Sequence, residues 1–214
     1  MNPVAHCPLC SCDNVPVFHR DRRRDYLRCQ RCALVFVPAE FFLTAEQEKA
    51  EYDLHRNELD DPGYRDFLRR LAEPLSQRLG VGASGLDFGC GPGPALAAML
   101  RERGYSVALY DIFYHPDPTV LNRRYDFICA TEVVEHLHRP GKVLQQLWEM
   151  LGPGGYLGVM TKLVKDREAF AAWHYKNDAT HVCFFSEQTW RWWAGECGAR
   201  LERIGADVMI LRRE

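Results

Sequence analysis

The sequence predicts an α/β protein, a parallel sheet flanked by helices, with a small cysteine-built appendage at its N-terminus. Three observations carry that expectation. Residues Leu86-Asp-Phe-Gly-Cys-Gly-Pro-Gly-Pro94 set an apolar stub against three glycines, Gly89, Gly91 and Gly93, and a helix-forming run, 95–103, follows at once. Strand, tight turn and helix form the unit from which such sheets are built. The turn needs glycine where no side chain fits, and the helix start offers backbone N–H groups to an anionic or strongly polar ligand. A second apolar run, 105–110, ends on an acid, Asp111, at the position where the tip of a second strand can bond a ribose hydroxyl. Finally, Cys7-x-x-Cys10 and Cys29-x-x-Cys32 are two knuckle-forming pairs with 18 residues between them. Two such knuckles aim four thiolates at one point, as a tetrahedral zinc site requires.

Composition bounds the rest. A chain of 214 residues is long enough for one α/β domain and a small addition. An apolar content of 47% with 26% charged residues is that of an ordinary water-soluble domain. No apolar run approaches a membrane span, and the N-terminus lacks the apolar core of a secretion signal, so a cytoplasmic location is expected. A net charge of −2 makes no global case for nucleic-acid binding. Nine cysteines in such a chain point to reduced thiols and metal ligands rather than to a disulfide framework.

Taken in order, residues 1–40 read as a zinc ribbon with Cys7, Cys10, Cys29 and Cys32 as ligands of a structural zinc. Cys12 is a spare thiol that could replace Cys10. Between the knuckles lie Arg20, Arg22, Arg23, Arg24 and Arg28, with Arg31 inside the second. This cluster either meets phosphates or is a solvated tip that balances the four thiolates. Residues 41–83 read as a helical linker or lid. Its first part is acidic and includes Glu58 against Arg56; Thr44 with Gln47 makes a capping box, and Asp61-Pro62 starts a second helix. Tyr64, Phe67, Leu68, Leu71, Leu75 and Leu79 form its apolar stripe, with a kink expected at Pro74 and an end at Gly80.

The glycine turn admits two cofactors. A dinucleotide fingerprint would place Gly or Ala where Pro94 stands, and Asp87 before the turn suits a ligand carrying an ammonium group better than a pyrophosphate. Leu86-Asp-x-Gly-x-Gly-x-Gly93 resembles motif I of the class I S-adenosylmethionine (SAM)-dependent methyltransferases. The resemblance implies a Rossmann-like class I methyltransferase sheet over residues 84–214. It further implies that Asp87, Gly89, Gly91 and Gly93 hold the methionine end of SAM and that Asp111 holds its ribose. One departure is plain. Only 14 residues separate Asp111 from Asp126 of the next strand, where that fold normally fits two helices and a third strand. His115-Pro-Asp-Pro118 cannot be a helix interior. The third-strand region is therefore expected to be shortened, leaving Ile112 and Phe113 to meet the adenine.

After the next strand, Glu132-Val-Val-Glu135-His136 resembles the Glu-x-x-Glu-His segment of a methyltransferase group that includes the quinone-biosynthesis O-methyltransferases. The resemblance implies that Glu132 borders cofactor and substrate and that Glu132, Glu135 and His136 hold a divalent metal such as Mg²⁺; the alternative is a helical turn with structural hydrogen bonds. His138 reads as a surface residue. A helix over 141–151 is stopped by Gly152-Pro-Gly-Gly155, and a strand runs over 156–161. Then come rings in quantity: Phe170, Trp173, His174, Tyr175, His181, and a helix opened by Ser186 that carries Trp190, Trp192 and Trp193. Some of these rings should face a planar substrate and the rest should be core. The runs 200–204 and 208–212 form an antiparallel closing hairpin.

The ribbon together with the sheet resembles a zinc-ribbon branch of bacterial methyltransferases that includes sugar C-methyltransferases, without the long C-terminal half of those enzymes. His136, His174 and His181 are the candidate general bases, because histidine titrates near neutrality. The first expectation is methyl transfer to an oxygen or carbon of a small-molecule acceptor. The alternatives are an RNA methyltransferase gripping phosphates with Arg20–Arg31, and a non-catalytic SAM- or zinc-binding interaction module.

Overall fold

A computed structural model describes residues 6–54 and 59–214; Arg56 and Glu58 of the acidic stretch lie outside them. The N-terminal ribbon is a meander of β1 (Val17–Arg20), β2 (Asp25–Arg28) and β3 (Val35–Phe36). α1 (Ala45–Tyr52) opens with both halves of the Thr44–Gln47 capping box. α2 (Pro62–Ser76) starts at Asp61, whose side chain accepts from the Tyr64 N–H. Its stripe buries Leu68, Leu71 and Leu75. The helix stops at Ser76 rather than Gly80, since Pro74 removes a donor in the last turn and tight turns at Arg78 and Leu79 take over.

The main sheet starts with β4 (Ser84–Phe88), α3 (Ala95–Arg101) and β5 (Ser106–Tyr110). It continues with β6 (Tyr125–Thr131), α4 (Pro140–Met150) and β7 (Leu151–Met160). After α5 (Arg167–Ala171), the two-residue strand β8 (Cys183–Phe184) and α6 (Glu187–Cys197), the chain ends in the hairpin β9 (Ala199–Ile204) and β10 (Val208–Arg213). Strand order is β5-β4-β6-β7-β10-β9, parallel from β5 to β7 and antiparallel at β10 and β9. Side chains alternate across it as the strand period demands. Leu86, Ile128 and Val159 join the core shared with the ribbon, α4 and α6, whereas Phe127, Cys129 and Met160 join the one under α2 and α3.

Two features depart from simple expectation. β7 begins at Leu151, not after Gly155: the Gly152-Pro-Gly-Gly155 segment lies within the strand. The register slips between Tyr125 and Phe127, and a Cβ on Gly155 would meet Gly152 and Asp126 carbonyl oxygens at 2.9 and 3.0 Å. Glycine here permits an irregular strand rather than a loop. The ribbon, moreover, does not stand apart. β3 pairs with β8 of the C-terminal half (Val35 with Phe184, Phe36 with Cys183), so its sheet crosses the compositional boundary at residue 40. Gly141 at the start of α4 donates to Pro8 O, and a Cβ there would strike Leu9 O at 2.3 Å. The first knuckle is thus seated on α4 by backbone contact.

Between β5 and β6 no third strand forms. Asp111 and His115 bridge each other, N to O in both directions at 3.1 Å, and Pro118–Asn122 makes a 3-10 turn before β6. No helix among the described residues is long and apolar enough to cross a membrane.

Candidate functional site

The strand order reverses at β4, whose sequence neighbours β5 and β6 lie on opposite sides of it. In open α/β sheets ligands bind in the crevice that such a reversal leaves beyond the carboxyl ends of the strands. The glycine turn closes one side. Gly89 has φ +72, and a Cβ on it would lie 2.4 Å from Val133 Cγ2, so only glycine allows the turn to approach the exit of β6 this closely. The turn is laced to the end of β5: Gly89 N donates to Tyr110 O at 2.7 Å and Gly91 N to Asp111 Oδ2 at 3.0 Å. Asp111 Oδ1 accepts from Phe113 N and Tyr114 N at 2.8 and 3.1 Å. Its carboxylate therefore holds two loops together, and Ile112 between them is left 69% exposed. Gly93 accepts from Ala95 N at 2.8 Å, closing the turn into α3.

Asp87 is buried at the end of β4. Burial pushes its carboxyl up to about 7, a rise only partly offset by the Ala97 N–H and Arg101. β6 and the turn after it leave several buried polar atoms unmatched. Thr131 Oγ1, Glu132 Oε1 and Glu135 Oε2 are buried without a hydrogen-bond partner. Glu132 also has φ +53, a left-handed backbone that a non-glycine residue adopts at some cost and that clusters at functional sites. Burial and the neighbouring Glu135 raise its carboxyl to about 8.

The sequence-derived metal set needs one correction. The groups that converge are Glu135, His136 and His181, one ligand atom of each lying within 4.8 Å of the others; Glu132 is not among them. Its left-handed backbone sets it off from the 3-10 turn Val134–His136 that carries the other two. His181 arrives instead from the loop before β8. Its Nδ1–H donates to Tyr175 O at 2.7 Å while its Nε2 lies 3.7 Å from Asp178 Oδ2, and His136 Nδ1–H donates to Thr180 O at 3.3 Å. Tyr175 OH donates to Glu135 Oε1 at 2.5 Å. Burial lowers His136 to about 4, so it is neutral at physiological pH. His174 stands apart from this group: it is exposed, with Nε2 3.4 Å from Lys162 Nζ. His138 is half-exposed, stacked on Phe42 at 4.2 Å and paired with Glu48 at 2.7 Å. That pairing ties α1 to the exit of β6, and Tyr52 of α1 lies edge-on to His136 at 5.2 Å and beside Phe113 at 5.8 Å.

In the ribbon, Cys7, Cys10, Cys29 and Cys32 bring their sulfurs within 4.8 Å of one another, with Cys7–Cys32 at 3.5 Å and Cys10–Cys29 at 3.4 Å. Tetrahedral zinc with Zn–S bonds near 2.3 Å spaces its sulfurs by about 3.8 Å. Cys12 lies outside the group and serves through its carbonyl, which accepts from Cys7 N. The arginines are largely spent within the chain. Arg20 pairs with Asp25, Arg28 bonds Gln188, and Arg23 and Arg24 reach the carbonyls of the loop that carries His181.

That last arrangement is what sequence reasoning missed, together with the Tyr175 hydroxyl on Glu135. Tyr175 stood out only as one ring among several; Arg24 gave no signal beyond its charge. The rings expected to divide between substrate and core divide at least by burial: Phe170, Trp190 and Trp193 are core, and Trp173 and Trp192 are half-buried.

The family profile "Methyltransferase domain" matches residues 56–204, and the chain belongs to that family. A search among curated proteins gives no match. The structure is similar to Burkholderia thailandensis 1,6-didemethyltoxoflavin-N1-methyltransferase, solved with its acceptor and S-adenosylhomocysteine (17% identity, TM-score 0.53, covering 91% of this chain and 97% of that one). It is similar also to magnesium protoporphyrin IX methyltransferase from Synechocystis PCC 6803, solved with S-adenosylhomocysteine (13%, 0.55, 82% and 97%). A SAM-dependent methyltransferase from Archaeoglobus fulgidus gives 15%, 0.54, 70% and 94%. At these identities the likeness is one of fold.

Proposed function

We propose that the protein is a SAM-dependent methyltransferase that transfers a methyl group to an oxygen or carbon of a small-molecule acceptor. The observation that carries this reading is the set of unmatched buried acceptors at the exit of β6, across the crevice from a glycine turn, in a member of the methyltransferase family. Buried acceptors without donors are costly unless a ligand brings the donors. SAM carries an ammonium, two ribose hydroxyls and a sulfonium, and supplies an activated methyl when bound. Asp87 and the turn Gly89–Gly93 would hold its methionine end, Asp111 its ribose, and Ile112 one face of the adenine. Glu132 would bond the cofactor from the exit of β6. α1, with Tyr52 over His136, would exclude water from the acceptor side.

Glu135, His136 and His181 would bind the acceptor or a divalent metal beside it. Two imidazoles and one carboxylate suit Zn²⁺, Mn²⁺ or Fe²⁺ better than Mg²⁺, which prefers oxygen ligands. Such a metal would lower the pKa of an acceptor hydroxyl. Without one, His181 would take its proton in preference to His136, whose lowered basicity makes it the weaker base, and to His174, which stands apart from the group. In the ribbon, the four converging thiols fit a structural zinc.

The RNA alternative asks Arg20–Arg31 to meet phosphates, and Arg20, Arg23, Arg24 and Arg28 are already engaged within the chain. The test is calorimetric titration of the zinc-loaded protein with SAM and S-adenosylhomocysteine. Micromolar binding of both is expected. Absence of binding to folded protein would replace the enzyme with an interaction module.

A further inference from the structure

The loop 174–181 crosses the acceptor side of the crevice with one short 3-10 turn, His174–Asn177, as its regular structure. A segment of that kind leaves its carbonyls to be matched from outside. Here the matching is almost complete, and the ribbon supplies most of it. Arg24, only 7% exposed, sends Nη1–H to Ala179 O and His181 O at 3.1 and 2.9 Å and Nη2–H to Asp178 O at 2.8 Å and to Lys176 O. Arg23 Nη1 donates to Asn177 O at 3.1 Å, and Tyr26 OH reaches Lys176 O at 3.3 Å. Of the three carbonyls left, Tyr175 O and Thr180 O accept from His181 and His136 themselves.

Arg24 is in turn fixed by the ribbon hairpin. Asp21 Oδ1 accepts from the Arg23 and Arg24 N–H groups at 2.8 and 3.0 Å, and Asp21 Oδ2 accepts from Lys176 Nζ at 2.7 Å. Burial opposes ionisation of Asp21, but Lys176 and those two N–H groups hold its carboxyl below the usual range. β2 runs from this hairpin directly into Cys29. From the thiol cluster to the His181 ring there is thus an unbroken path through β2, Arg24 and four carbonyls.

We propose that the ribbon sets the acceptor side of the site, with Arg24 as the positioning residue that fixes the His181 ring against Glu135 and His136, while the cofactor side stands without it. This rests on the reading of Glu135, His136 and His181 as the acceptor-side group. A planar fork of five donors can meet four carbonyls; an ammonium cannot reproduce that fork. The glycine turn and Asp111 receive none of these ribbon bonds.

The experiment compares wild type, Arg24→Ala and Arg24→Lys as full-length zinc-loaded protein. Zinc content and S-adenosylhomocysteine affinity should stay within about twofold of wild type. The His181 ring ¹⁵N shifts should lose the Nδ1–H tautomer, and hydrogen exchange of amides 178–182 should speed by tenfold or more. Lysine should fail to restore either signal. Should Arg24→Ala not fold, Arg24→Lys alone carries the comparison. An unchanged His181 tautomer with unchanged exchange in a folded variant would overturn the proposal. So would parallel loss of cofactor affinity, because the ribbon would then act on the whole sheet. Failure of wild type to bind S-adenosylhomocysteine would instead count against the methyltransferase reading and leave the loop measurements interpretable.

Discussion

The two sides of the crevice are built by different means. The proposed cofactor side is local: between Gly89 and His115 the glycine turn, the end of β5 and the Asp111 carboxylate bond one another within 27 residues of chain. The proposed acceptor side is assembled from afar. Glu135 and His136 come from the exit of β6, Tyr175 and His181 from a loop about 40 residues on, and the arginines that hold that loop from more than 150 residues away. A local site can be carried intact through a family and specified by a short pattern. A composite one can change its acceptor by altering any contributor, and it depends on everything that holds those contributors in register.

Removing zinc tests that dependence most severely. Cys29→Ser, or chelation of the ribbon metal, should release zinc and unfold the N-terminal meander, since structural zinc sites supply folding free energy outright. Circular dichroism melting should show a lowered, broadened transition, and the acceptor-side loop should lose exchange protection with it. Retention of zinc by a protein carrying Cys29→Ser, Cys12→Ser and His181→Ala would mean that the four thiols are not its ligands.

Asp111→Ala strikes the other side. It removes a carboxylate proposed to bond the ribose and also frees Gly91, Phe113 and Tyr114 N–H groups. Hydrogen bonds to a charged group contribute about 1.5–3 kcal/mol each, so SAM affinity should fall at least about tenfold by calorimetry. The His181 ring signals should not move. An unchanged dissociation constant would remove Asp111 from the ribose.

The smallest of the three effects is one of pH. Burial raises the Asp87 carboxyl to about 7, above the value near 3.9 of an unfolded aspartate. The sign follows from linkage: between those values the folded chain holds a proton that the unfolded chain has lost, so this group's contribution to stability declines as pH rises from about 4 towards 7. A cationic ligand beside Asp87 favours its ionised form. SAM binding should therefore release a proton near neutrality and tighten by up to about tenfold from pH 6 to 8. Calorimetry in buffers of different ionisation enthalpy measures both, and pH-independent affinity would exclude Asp87 from the ammonium end.

The same contrast explains what could be read from the chain. Motif I, the missing third strand, the Cys-x-x-Cys pairs, the caps at Thr44, Asp61 and Ser186 and the closing hairpin are short-range statements, made by residue types a few positions apart. The absent strand was legible because Pro116 and Pro118 leave too little chain between Asp111 and Asp126. The metal-type group was legible only by half. Glu135 and His136 sit together in one motif, but His181 joins them through folding, and the left-handed turn at Glu132 that separates it from the group has no glycine to announce it. Arg24 was illegible for a stricter reason: its partners are backbone carbonyls, which every residue has. An arginine that reads carbonyls leaves no complementary acid in the sequence to find.

The lost third strand leaves β5 as the outer edge of the sheet and ends the nucleotide side at an exposed Ile112. A cofactor seated there as proposed would be selected by its amino-acid and sugar ends, while the purine would meet a doorway rather than a wall. Such a protein should be indiscriminate towards the base. Analogues enlarged at the purine would then become usable tags, and the truncated edge would turn from a missing part into a chemical entry point for labelling whatever the protein methylates.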